Sequence, residues 1–199
     1  MKTIFLSYRL DDSVHATMAI SSRLADHFGR DHVFRDCDSL QIGSLYPRRI
    51  RRALERSDIV LAVIGPHWLE ARDDRGRRRI DEPRDWVRTE LRMAFEREIP
   101  VVPVLLDRTP LPDQEQLPED IRLLPLSTFH QVRHQSLDAD LQALVERLDP
   151  AAGVSPPSAP QPFPSNAQHT TVTGNGVAYV SQNGSQVINN LHGQDGTGR

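Results

Sequence analysis

The sequence predicts a doubly wound α/β domain built on a five-stranded parallel sheet, with a Pro-rich linker and a low-complexity tail behind it. Strand-like and helix-like apolar patterns alternate through the first 150 residues with short connections, which requires parallel strands covered on both faces. One run, Asp58–Ile64 (DIVLAVI), is apolar at every position after its first, as a central parallel strand must be. Charge then marks the end of the domain: of 24 basic and 27 acidic residues, only Asp195 and Arg199 lie beyond Pro150.

The elements follow in order. Thr3–Ser7 (TIFLS) is a short buried strand. Asp11 or Asp12 supplies an N-cap for a helix over Ser13–His27, whose apolar face is mainly Val14, Met18, Ile20 and Leu24. His32–Arg35 is the second strand and Asp36–Ser44 a loop. Leu45–Arg56 is a helix with Ile50 and Leu54 inward and its arginines outward. Asp58–Ile64 is the third strand and Asp85–Glu98 the third helix. Val101–Leu106 is the fourth strand, near an edge or bulged because of Pro103. Leu126–His130 is the fifth strand, and Leu137–Leu148 a closing helix. The order and size suggest a flavodoxin-like sheet, in which ligands sit beyond the carboxyl ends of the strands.

The domain is expected over 1–149 and the linker over 150–165, where prolines at 156, 157, 160, 162 and 164 fix φ and remove donors. The tail, 166–199, is rich in Gly, Asn, Gln, Ser and Thr and cannot bury a conventional core by itself. A net charge of −3 argues against bulk capture of nucleic acid or an anionic membrane. A single cysteine, Cys37, excludes an intramolecular disulfide framework and a thiolate-rich metal site. No apolar run is long enough to span a bilayer, and the start has no signal-peptide pattern, so a cytoplasmic location is expected. No phosphate-cradling GxGxxG or GxxxxGK[ST] loop occurs, nor an HExxH pattern or Cys/His cluster. No cofactor and no metal are expected.

Five segments in register carry a resemblance. They are Phe5-Leu6-Ser7-Tyr8-Arg9 followed by Asp11-Asp12; Val33-Phe34-Arg35-Asp36 followed by Leu40 and Gly43; Ser57–Leu69; Asp85-Trp86-Val87-Arg88-Thr89-Glu90; and Ile99–Val104. Together they resemble the motifs of Toll/interleukin-1 receptor (TIR) domains, most closely bacterial ones, over residues 1–148. One departure is Arg84-Asp85-Trp86-Val87 where the family often has Ser-x-Trp-Cys. The resemblance implies cleavage of NAD+, as a substrate, at the nicotinamide–ribose bond, with Glu90 as the catalytic carboxylate. A carboxylate beside the anomeric carbon stabilises the cation that forms as nicotinamide leaves. It also implies that Tyr8, Arg9, Asp36, Gly43, Leu45 and Trp86 line the substrate pocket, with Arg9 meeting a phosphate or ribose and Trp86 forming an aromatic wall beside Glu90.

Spacing alone fits a different account: Glu90 as a solvated helix residue paired with Arg88 or Arg97, Tyr8 as a packing aromatic, Arg9 as a surface cation and Gly43 as a turn glycine. Trp68 suits the core or a pocket rim. The charged segment Glu70–Glu82, with Arg77, Arg78 and Arg79, suits a solvated loop better than an anion site. In function, a non-catalytic adaptor that binds other TIR proteins is the alternative to the enzyme.

Within the tail, Val177, Tyr179, Val180, Gln182 and Gly184 resemble the V-x-Q-x-G heart of RHIM-like bacterial amyloid signalling motifs. The resemblance implies self-assembly, homo-oligomeric TIR–TIR contact, and a sensor protein carrying a similar motif. A plain Gly/Asn tail, or a hairpin pairing Thr171–Val172 with Val187–Ile188, fits the same residues.

Overall fold

The computed structural model describes residues 2–35, 46–150, 180–182 and 185–187, with the last two segments and 46–49 described by backbone only. Asp36, Gly43, Leu45, Val177, Tyr179 and Gly184 lie outside the described residues. The chain divides into two compact units, Met1–Ser155 and Pro156–Arg199.

The first unit holds strands β1 (Ile4–Ser7), β2 (Val33–Arg35), β3 (Ile59–Ile64), β4 (Val101–Leu106) and β5 (His130–Val132). Its helices are α1 (Leu10–Phe28), α2 (Tyr46–Glu55), α3 (Trp86–Glu96) and α4 (Leu137–Leu148). The sheet order is β2-β1-β3-β4-β5 and every pairing is parallel, which is the expected doubly wound arrangement. Strand alternation fills two cores. Phe5, Val60, Ala62, Ile64, Val101 and Leu105 face α2 and α3, packing with Ile50, Leu54, Val87 and Leu91. Ile4, Leu6, Leu61, Val63, Val104 and Leu106 face α1 and α4, packing with Ile20, Leu24, Leu141 and Leu144.

Four expectations are corrected. No side chain caps α1: its N-terminal turn hangs on the Arg9 carbonyl, and the backbone breaks from helical geometry at Ser13 (φ −135°, ψ 16°). Asp12 instead accepts from Gly65 N at 2.9 Å and His67 N at 2.8 Å, tying α1 to the end of β3. Gly65 is required there, because a Cβ would run into the Asp12 carboxylate. Met18 is 52% exposed; the buried stripe runs through Thr17, Ile20, Ser21, Leu24 and Phe28.

Pro103 sits inside the sheet opposite Ala62, not at an edge. Val60 N–H donates to Pro100, so alternation along β4 turns the Pro103 nitrogen toward β5, which begins only opposite Val104. The missing donor falls where no ladder bond is needed. The fifth strand begins four residues later than expected, because Leu124–Leu126 forms a 3-10 turn around Pro125. In the second unit, β6 (Val180–Gln182) pairs antiparallel with β7 (Ser185–Val187), Val180 opposite Val187; Thr171, Val172 and Ile188 of the alternative hairpin lie outside the described residues.

Candidate active site

The carboxyl ends of β1 and β3 meet the first turns of α1 and α3. Ser7 closes β1 and is fully buried; its hydroxyl donates to Glu90 Oε2 at 2.6 Å. Glu90 lies one turn into α3, on the inward stripe with Val87, Leu91 and Ala94, and is also fully buried. A carboxyl group taken out of water requires a polar partner, and the Ser7 hydroxyl supplies one. The spacing account of a solvated Glu90 does not describe this residue. Arg88 instead pairs with Asp120 at 3.0 Å, and Arg97 lies 3.6 Å from Glu55.

The helix that carries Glu90 is placed by Asp85. Its Oδ1 accepts from Arg88 N at 3.0 Å, a proper N-cap, so α3 begins one residue later than expected. The same carboxylate takes Arg9 Nη1 at 2.9 Å and Nη2 at 3.2 Å, with Arg79 Nε at 3.5 Å. Arg9 Nε donates to the Trp68 carbonyl at 2.9 Å, and its guanidinium lies 5.7 Å from the Trp68 ring centre. In this structure the Arg9 side chain faces inward. It is 2% exposed, and all three of its nitrogens bond within the protein, joining β1, the β3 loop and α3.

Tyr8 is 5% exposed and belongs to the core on the α1/α4 side of the sheet. Trp68 is core as well, fully buried. Trp86 is 37% exposed and, unlike Glu90, lines the groove between α2 and α3. The reason is helical geometry: the buried stripe of α3 centres on Val87, Glu90, Leu91 and Ala94, and position 86 falls at its margin. Arg77 and Arg78 are held by Asp73, Asp81 and Glu82 within their own segment. Sequence reasoning left Ser7 and Asp85 without a functional part. An Asp just before a helix is a cap signature, but a pairing across 76 residues leaves no local trace. Among the described residues there is no group of His, Cys, Asp or Glu able to hold a metal ion, and no helix long and apolar enough to cross a membrane.

A five-stranded parallel sheet with a buried carboxylate at the mouth of its first strand describes a class of α/β site domain. The comparisons name the family. The TIR domain profile matches residues 4–145, and the chain belongs to the TIR domain family. No curated protein matches it. Among solved structures it is similar to the TIR domains of the activated Roq1 resistosome directly recognizing the pathogen effector XopQ, at 16% identity and TM-score 0.55, covering 74% of this chain and 99% of that one. It is also matched to a metazoan TIR-STING receptor from C. gigas in complex with 2′,3′-cGAMP, at 22% identity and TM-score 0.46, covering 73% of this chain and 40% of that one. At these identities the likeness concerns the fold.

Proposed function

We propose that this TIR protein is a signalling and defence effector that cleaves NAD+ at the nicotinamide–ribose bond when its TIR domains assemble. The observation that carries the reading is the Glu90 carboxylate, buried at the carboxyl end of β1 and held by the Ser7 hydroxyl. In this reaction the N-glycosidic bond breaks and nicotinamide leaves with the bonding electrons. The ribosyl carbon becomes cationic, and water adds to it with loss of a proton. Glu90 stabilises the cation, and Ser7 holds the carboxylate in one orientation before the reaction begins. Assembly enters because Glu90 is closed off within one chain, so contact with substrate requires a rearrangement of its surroundings. The resistosome relative, itself an activated assembly, supports that part of the reading.

The same burial favours a second reading, an adaptor whose TIR domain only binds other TIR domains and whose Glu90–Ser7 bond is structural. The deciding experiment follows NAD+ with purified full-length protein, concentrated and seeded with a tail peptide, beside Glu90→Ala. The expected result is nicotinamide release by the wild type and at least a hundredfold less by Glu90→Ala. Absence of turnover while assemblies visibly form would transfer the reading to the adaptor.

A further inference from the structure

A cavity of about 290 Å3 lies between α1 and the edge strand β2, on the face of the sheet away from α3 and Glu90. Its α1 wall is one stripe. Met18, Ser22 and Asp26 follow at four-residue steps, with Ser21 and Ala25 in the row beside them. Its β2 wall is Val33 and Arg35, two apart and so on one face of the strand. Arg30 joins them from the 3-10 turn that connects the two elements.

The polar groups of this cavity lack the partners that their counterparts elsewhere have. A buried hydroxyl needs a hydrogen bond, and after one turn of helix the usual acceptor is the carbonyl four residues back. Four buried serines are described. Ser13 Oγ donates to the Arg9 carbonyl at 3.3 Å and Ser57 Oγ to the Ala53 carbonyl at 2.7 Å, while Ser7 takes Glu90. Ser21 is 8% exposed and makes no hydrogen bond among the described residues, so its hydroxyl is left to the cavity. Asp26 and Arg30 line the same cavity with opposite charges, yet neither forms an ion pair among the described residues. Arg77, Arg78 and Arg133 hold their carboxylates at 2.7–2.8 Å.

We propose that the α1–β2 cleft binds a phosphorylated ribonucleoside of mononucleotide size. Arg30 and Arg35 face one acid, Asp26, which gives the cleft a positive balance, and a guanidinium can take two phosphate oxygens at once. An ionised Asp26 only accepts hydrogen bonds, and its two oxygens match the vicinal hydroxyls of a ribose. The Ser21 hydroxyl donates to either group. Ala25, Val33 and the half-exposed, flexible Met18 supply apolar contact for a base. Ligand pockets begin at about 300 Å3, so this volume suits one nucleoside phosphate better than two joined. The cleft binds and breaks no bond, and the inference stands apart from the NAD+-cleaving reading.

The test titrates full-length protein with adenosine 5′-monophosphate, 2′-deoxyadenosine 5′-monophosphate, adenosine and inorganic phosphate, and locates each by hydrogen exchange. Adenosine 5′-monophosphate is expected to bind about tenfold or more tighter than adenosine or inorganic phosphate, and to slow exchange within 18–35 but not within Trp86–Glu96. Arg30→Gln is expected to weaken the monophosphate about tenfold and leave adenosine unchanged. Asp26→Asn is expected to abolish the preference for the ribose over the 2′-deoxyribose form. Both positions are exposed, and an unfolding midpoint equal to that of the wild type identifies folded variants. Four outcomes overturn the inference: no binding of the monophosphate at about 1 mM, inorganic phosphate bound as tightly as the nucleotide, protection on α3 in place of 18–35, or an Arg30→Gln variant that binds like the wild type. None of these readouts involves NAD+ turnover, so failure of the catalytic reading leaves them unchanged.

Discussion

Arg9 and Asp85 show how far one pair of residues sets the site. Both are almost wholly buried and joined by two hydrogen bonds, and Asp85 also caps the helix that presents Glu90. Breaking a buried pair leaves an uncompensated charge, so Asp85→Ala is expected to cost about 3–5 kcal/mol, with loss of the cap contributing about 1 kcal/mol of it. Asp85→Asn keeps a cap acceptor and is expected to cost about 1 kcal/mol less than Asp85→Ala. Arg9→Met/Asp85→Asn removes the stranded cation and is expected to recover much of the loss, so the single effects will not add. Urea unfolding of the four proteins reads this directly, and simple additivity would defeat the account. At this scale the sequence disclosed residue types but not their environments. Glu90 was legible as a motif position, and its burial was not. Arg9 was legible as a motif position, and its pairing was not, because nothing local to Tyr8-Arg9-Leu10 announces a carboxylate 76 residues away.

Elements were more legible where a single periodicity governed them. β3 stands within two residues of expectation because burial on both faces dictates its residues, and α2 does so with Ile50 and Leu54 buried. β5 was misplaced because Leu126 and Phe129 look like strand residues but lie exposed, while the strand itself, His-Gln-Val, hides a buried histidine. That histidine makes β5 and α4 sensitive to pH. His130 Nε2 bonds the Asp140 carbonyl at 2.8 Å, and Nδ1 lies 3.3 Å from Arg147 Nη1. Burial, first, and the Arg147 charge lower its pKa, against the raising influence of the Asp140 carbonyl and carboxylate. A lowered folded-state pKa means that the unfolded chain takes up the proton first. His130 therefore leaves stability unchanged above about pH 6.5, the ordinary histidine value, and lowers it as pH falls from there through the folded-state pKa. His130→Gln is expected to flatten that part of the stability curve, measured as the difference from wild type between pH 7.5 and 5. Asp140 stays out of this window, because Arg133 holds its carboxyl well below the usual carboxylate range. An unchanged slope in His130→Gln would place the sensitivity elsewhere.

At the scale of the whole molecule, the division of labour follows from where the apolar residues are. Both buried clusters lie within the first unit, while the described part of the second is a three-residue strand pair. A strand pair of that size has little stability of its own in water. Deleting 165–199 is therefore expected to leave the unfolding free energy of the TIR unit unchanged within about 0.5 kcal/mol. The tail's proposed contribution is effective concentration: chains gathered by their tails hold their TIR domains close enough to pack on one another. The truncated protein should then lose at least tenfold in nicotinamide release at low concentration and regain it as concentration rises, since its TIR unit remains whole. The rescue by concentration separates a gathering role from a catalytic one, because a tail that completed the site would leave the truncated protein inactive at any concentration. Full activity in dilute truncated protein would remove the tail from the mechanism and leave the TIR units to assemble by themselves.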